Sequence, residues 1–283
     1  MKKRNFIKED EGVAGVIEAL LIVALVAVVI STIQLVYIPQ VMNQREADHM
    51  DEVANQFSSM KAMIDLQSMT EKDVPISSPI TLGSRELPYF VTARALGELR
   101  IVNDANYEIN VDYGALVFPL TSVKYTAYNS YYLDGTMAYY IFQGGAIIRK
   151  QFDGETVIVE PSITVDNSSI ITIHYNIPIV IGIEGKNTSP TDYKTCFIRT
   201  NYSIKSDDDY EWFQDVSSIV IKTEYLNAWN ESLQGLLGDN FECKIKYDKQ
   251  PNYVEIEPKT TKQIDLYYQK VYIYAQISPG WIE

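Results

Sequence analysis

The sequence predicts an α+β protein: one long hydrophobic N-terminal helix, then a mainly antiparallel β-sandwich or barrel domain with one short helix. Three observations carry that expectation. An apolar run from Val13 to Ile38 is broken by a single charge, Glu18. A row of apolar residues at heptad spacing, Met50, Val53, Phe57, Met60 and Ile64, continues the helical period beyond it. After about Ile80 the pattern changes to short alternating segments between turn residues, rich in the Val, Ile, Thr and Tyr that suit pleated surfaces.

The N-terminal element comes first. Lys2, Lys3, Arg4 and Lys8 precede the apolar run. Its roughly 26 residues make about 39 Å of helix, enough to cross a hydrocarbon core of about 30 Å. The basic head places the N-terminus in the cytoplasm and the remainder outside. Residues 40–52, with Arg45 against several acids, agree with that orientation. A cleaved secretory signal would have an apolar region of about 7–15 residues ending in small residues, and this run fits neither requirement. An uncleaved signal anchor accounts for everything but Glu18. A carboxylate at mid-membrane costs about 2.5–3.5 kcal/mol, and less near a helix end. Glu18 lies about two turns into the helix, where it can snorkel outward and meets the positive end of the dipole.

The leader MKKRNFIKEDEG and the following VAGVIEALLIVALVAVV resemble the class III signal of archaeal type IV pilin and archaellin precursors. The resemblance implies cleavage between Gly12 and Val13 by a prepilin-type peptidase, with the helix retained and a new amine on Val13. Glu18 would pair with such an amine, on its own or a neighbouring subunit. A charge pair in lipid or a dry bundle is far less costly than a lone charge. The chain departs from the family in two places. Glu18 is the sixth mature residue rather than the usual fifth, so either the cut falls after Val13 or the pairing geometry differs. Acids also stand beside the cut, where basic residues are more usual. The long helix, the linker after it and a strand reading ITLGSR further resemble archaeal pilin-like surface proteins of unassigned function, over roughly the first hundred residues.

By that resemblance the chain is a structural subunit of a pilus-like surface filament, working by structure and adhesion rather than catalysis. Its partners are then the membrane, copies of itself through the helix, the peptidase, a pilus assembly platform, and surface glycans met by the outer domain. The alternative from another class is a non-polymerising, single-pass, membrane-anchored extracellular binding module.

The domain boundaries follow. Residues 1–12 are the leader, 13–38 the transmembrane or filament-core helix, and 39–72 its amphipathic continuation. Pro39 is expected to kink the rod. The apolar row at 50–64 has two available partners, the chain's own outer domain or neighbouring subunits. Residues 73–79, with Pro75 and Pro79, read as a linker. Residues 80–283 form the β-rich extracellular domain, with about eleven strands and turns at Asp134-Gly135, Gly144-Gly145, Asp153-Gly154, Asp166-Asn167, Glu184-Gly185 and Ser206-Asp207. Within it, Leu226, Trp229, Leu233 and Leu236 or Leu237 share one face of a helix that Gly238 caps.

The chemistry is sparse. A formal net charge of −13 and a pI near 4.7 argue against nucleic acid. The two histidines, His49 and His174, lie far apart, and no HExxH, GxSxG, P-loop or CxxC is present, so no catalytic residue, metal or cofactor is assigned. Asp207-Asp208-Asp209 lacks the spacing of a calcium loop and reads as a solvated turn. Tyr131-Tyr132, Tyr139-Tyr140 and Tyr267-Tyr268 offer either a sugar-binding surface or ordinary cross-strand packing. Four sequons, at Asn167, Asn187, Asn201 and Asn230, are candidates for N-glycosylation. Cys196 and Cys243, in the expected exterior, are candidates for a disulfide closing a loop of about 47 residues, which would add roughly 4 kcal/mol; the alternative is two buried free thiols.

Overall fold

The computed structural model describes residues 7–88, 92–132, 136–203, 210–247 and 251–278. Its first element is a rod of three pieces: helix α1 (Ile7–Thr32), a π-helical turn (Ile33–Tyr37) and helix α2 (Ile38–Thr70). Pro39 explains the widened turn. Proline has no N–H, and its ring crowds the carbonyl four residues back. In the wider turn the Ile38 N–H reaches five residues back to the Ile33 carbonyl, which accommodates the proline without ending the helix. The rod stops at Glu71, in the left-handed region at φ 52° and ψ 28°, where its N–H bonds the Gln67 carbonyl at 3.0 Å.

The strands, numbered β1 to β16 along the chain, form three sheets. The first orders β1 (Ile76–Thr81), β11 (Thr195–Tyr202), β16 (Ile264–Ser278), β10 (Ile171–Gly182) and β9 (Ile163–Asn167), with β12 (Glu211–Phe213) also on β16. The second orders β2 (Leu96–Val102), β5 (Ser122–Tyr128), β6 (Met137–Gln143), β7 (Ala146–Gln151) and β8 (Gly154–Val159). The third orders β14 (Phe241–Lys246), β15 (Tyr253–Pro258), β13 (Ile219–Lys222), β3 (Glu108–Val111) and β4 (Leu116–Pro119). The pairing is antiparallel as expected, except that β10 and β16 run parallel from Ile171↔Ile264 to Gly182↔Ala275.

Two cores result, and β16 feeds both. Ile264, Leu266 and Tyr268 enter one core, while Val271, Ile273, Ala275 and Ile277 enter the other. Side chains alternate across a strand, so the change from even to odd numbers puts the two cores on opposite faces of the first sheet. One core collects helix α3 (Leu226–Leu237) through Trp229 and Leu233, together with the third sheet. The other collects Met50, Val53, Phe57, Met60 and Ile64 of α2 between the first and second sheets. The apolar row of α2 therefore packs on its own domain, and its buried stripe begins earlier than the spacing implied, at Ile38 and Met42.

Several expectations are corrected. The linker of 73–79 is mostly β1, with Pro79 opposite Phe197. The strand is an edge, where a missing donor is tolerated. Among the described residues sixteen strands stand where about eleven were expected, because β1, β2, β5 and β12 were not counted and Pro161 divides one apolar run into β8 and β9. The turns at Asp134-Gly135 and Ser206-Asp207, and the Asp207–Asp209 run, lie outside the described residues.

Candidate functional site

The feature that asks for a function is the first half of the rod. From Val13 to Tyr37 nearly every side chain is exposed, up to 77% for Leu35. Burial then starts abruptly, with Ile38 at 2%. Among the described residues one helix is long and apolar enough to cross a membrane, and none of its most apolar window is buried. An apolar surface that circles a helix needs lipid or other helices on all sides.

Glu18 is exposed on this segment, and among the described residues it has no ion-pair partner. Its distance from the domain is informative. Twenty residues separate Glu18 from Ile38, or about 30 Å at 1.5 Å per residue, which is about one hydrocarbon thickness. A bilayer edge placed at Ile38 would put Glu18 at the opposite edge, where a carboxylate reaches headgroups and water. Gly12 and Val13 both lie within α1; of residues 1–6 nothing is described, nor of the side chains of residues 7–12.

The second half of the rod is fastened to the β domain by polar side chains that the heptad row did not reveal. The fully buried Glu46 carboxylate accepts the backbone N–H groups of Ser130, Tyr131 and Tyr132 at 2.7 to 3.1 Å. Asn43 donates to the Tyr131 carbonyl at 3.0 Å. Gln56 Oε1 accepts the Thr81 N–H at 2.8 Å, and His49 Nε2 lies 2.9 Å from the Thr81 carbonyl. Helix side chains thus satisfy both backbone groups of Thr81 on an edge strand, which closes that stretch to pairing by another chain. Burial lowers the His49 pKa below its ordinary value, outweighing the Thr81 carbonyl and the carboxylates of Glu52 and Glu46, which act the other way. No pattern of hydrophobicity signals Glu46 as a latch; its signal is its place on the α2 stripe, four residues after Met42 and four before Met50.

Two recesses flank this junction. A groove of about 550 Å³ lies between α2 and β1, lined by Asp48, Asp51, Glu52, Gln56, Ser77 and Ser78 among others. A smaller one, about 290 Å³, includes Arg45, His49, Ser84 and Arg85. Among the described residues no group of three His, Cys, Asp or Glu side chains is arranged to hold a metal ion.

The remaining sequence candidates scatter. Cys196 and Cys243 are both free and buried, the second of the two alternatives that the sequence leaves open. They lie in different sheets and in the two different cores, which keeps the thiols apart. Burial pushes the Cys243 thiol up to about 11. The tyrosine pairs do not make continuous surfaces where the strand pleat turns neighbours to opposite faces. Tyr140 and Tyr268 are buried, whereas Tyr267 stacks on Tyr210 with centroids 4.7 Å apart and meets His174 edge-on at 5.2 Å. The sequon asparagines occupy four different settings: Asn167 closes β9, Asn187 follows the turn after β10, Asn201 is within β11, and Asn230 is within α3.

Compared with protein-family models, curated proteins and solved structures, the chain matches none.

Proposed function

We propose that this chain is a structural subunit of a type IV pilus-like surface filament. Its apolar helix holds the precursor in a membrane and then packs against copies of itself, and its β domain faces outward for surface interaction or adhesion. No enzymatic role is assigned to it. The observation that carries the reading is the bare apolar rod from Val13 to Tyr37, which its own domain leaves uncovered. The class III-like leader adds a means of creating a positive charge at Val13. Glu18 is five residues along from that amine, about 7.5 Å of helix rise. A neighbour displaced axially by that amount would bring its amine level with Glu18, pairing both charges as the helices leave lipid.

A second reading is favoured by the 30 Å interval itself. With Glu18 and Ile38 one hydrocarbon thickness apart, the helix fits a bilayer with no charge inside it, as a permanent single-pass anchor for a binding module requires. Mass spectrometry of the chain from its own cells separates the two. A native N-terminus at Val13 or the residue after it is the expected outcome for the filament subunit; an intact Met1 would leave the tethered module. Glu18→Ala is expected to abolish filament assembly with membrane insertion unchanged. Filaments of normal number and length would remove the charge-pair role.

A further inference from the structure

The four sequons look equivalent in the sequence, and the fold separates them. A transferase acting on the folded domain must reach two groups: the asparagine Nδ2 and the hydroxyl two residues later. In three of the four, that hydroxyl is buried: Ser189, Ser203 and Ser232 are 4%, 3% and 5% exposed. Ser189 Oγ accepts the Leu99 N–H at 2.9 Å and donates to the Pro190 carbonyl at 3.0 Å. The Asn187 carbonyl meanwhile accepts the Ile101 N–H at 2.8 Å, and its amide group packs so closely on Gly182 that a Cβ there would lie 2.3 Å from Oδ1. Asn201 commits its Nδ2 to the Asp73 carboxylate. Asn230 buries its Oδ1 in α3, and Ser232 donates to Glu160.

Asn167 differs in the exposure of its whole sequon. Asn167, Ser168 and Ser169 are all exposed, where β9 passes into the connection to β10. Lys262 Nζ donates to Asn167 Oδ1 at 3.1 Å and to the Ser168 carbonyl at 2.9 Å, which engages the oxygen and leaves Nδ2 without a partner among the described residues.

We infer that Asn167 is the N-glycosylation site of this protein, taking an oligosaccharide from a lipid-diphosphate-linked donor by an external transferase. The inference rests on the reading that the β domain lies outside the membrane. In the transfer, Asn167 Nδ2 attacks the anomeric carbon of the donor. A C–N bond forms, the C–O bond to the diphosphate breaks, the diphosphate leaves with the electron pair, and Nδ2 gives up one proton to a base of the transferase. The location also has a physical consequence. β9 ends the first sheet, and a bulky hydrated chain on its last residue hinders strand addition by another molecule.

The test uses full-length protein from the cells that make it, digested and analysed by glycopeptide mass spectrometry. Sugar mass is expected on the Asn167 peptide alone. Asn167→Gln should remove the whole gel-mobility shift, and Ser169→Ala should do the same while leaving Asn167 in place. A triple variant, Asn187→Gln with Asn201→Gln and Asn230→Gln, should keep the full shift. Sugar on any of the other three asparagines would overturn the assignment. Membrane-impermeant biotin labelling of intact cells distinguishes the two failures. A labelled domain with bare Asn167 sinks this inference alone, whereas an unlabelled, bare domain sinks the outward orientation together with it.

Discussion

Two halves of one rod carry opposite instructions. Residues 13–37 are apolar on all sides and nearly all exposed, whereas residues 38–70 bury a stripe between two sheets and expose the rest. Backbone geometry is helical in both, so the difference lies in where the apolar side chains are placed. An all-round apolar surface asks for an environment that surrounds it; a stripe asks for one flat partner. The π-helical turn at Ile33–Tyr37 marks the change, and burial starts one residue later. Each half also holds one telling glutamate: Glu18, exposed, and Glu46, buried against three backbone amides.

The sharpest way to break this contrast is to delete the same kind of bulk from both halves. Phe57→Ala leaves a cavity between two sheets and is expected to destabilise the domain by about 3–5 kcal/mol in urea unfolding. Leu25→Ala, on the bare half, is expected to leave that transition unmoved. Equal effects would mean that residues 13–37 are packed after all.

The glutamates come next. Glu46→Ala strands the amides of Ser130, Tyr131 and Tyr132 and is expected to cost about 3 kcal/mol, measured the same way. Glu18→Ala should leave domain stability within about 0.5 kcal/mol, as for a surface site away from special features.

A smaller effect concerns pH. His49 has a folded-state pKa lowered by burial, so near its titration the unfolded chain binds more protons than the folded one. Its contribution to stability is therefore fully present above the ordinary value of 6.5 and declines as pH falls from there toward the lowered folded value. Chemical unfolding between pH 7.5 and 5 should show this decline, and His49→Gln should flatten it. An unchanged slope would place the titration elsewhere.

The least effect is expected at the junction. Pro39→Ala restores a backbone donor, so residues 33–38 should relax toward ordinary α-helical spacing with a stability change under about 1 kcal/mol. Amide hydrogen exchange at Tyr37 and Ile38 reads that change. Retention of the wide turn would show that packing around Ile38, rather than proline, sets it.

Legibility in the sequence followed how local each signal was. The face of α3 was readable because Trp229, Leu233 and Leu237 recur within one helix and all three are buried. The strand from Thr195 to Tyr202 was readable from its alternation. The strand expected at ITLGSR keeps only Ile80 and Thr81, the end of β1; the start of β1 was hidden because Pro75 and Pro79 are punctuation in most contexts, and only an edge position beside α2 makes Pro79 acceptable in a strand. The choice between a disulfide and two free thiols was not legible, because the separation of the cysteines along the chain carries no information on which core each enters. Glu46 passed as one of several acids on a polar helix, since its partners are three amides of a loop more than eighty residues away.

The order of residues alone determined the rod, the apolar half with its single carboxylate, the switch from helix to strands beyond the rod, and the acidic balance. Each depends on neighbours within a few turns or a few residues, where period and composition act directly. Tertiary structure decided what covers the seam of α2, that β10 and β16 run parallel, that the thiols stay apart, and that Asn167 presents its sequon openly. Those outcomes depend on which distant segments share a surface, and many pairings satisfy the same local pattern until packing and hydrogen bonding select one.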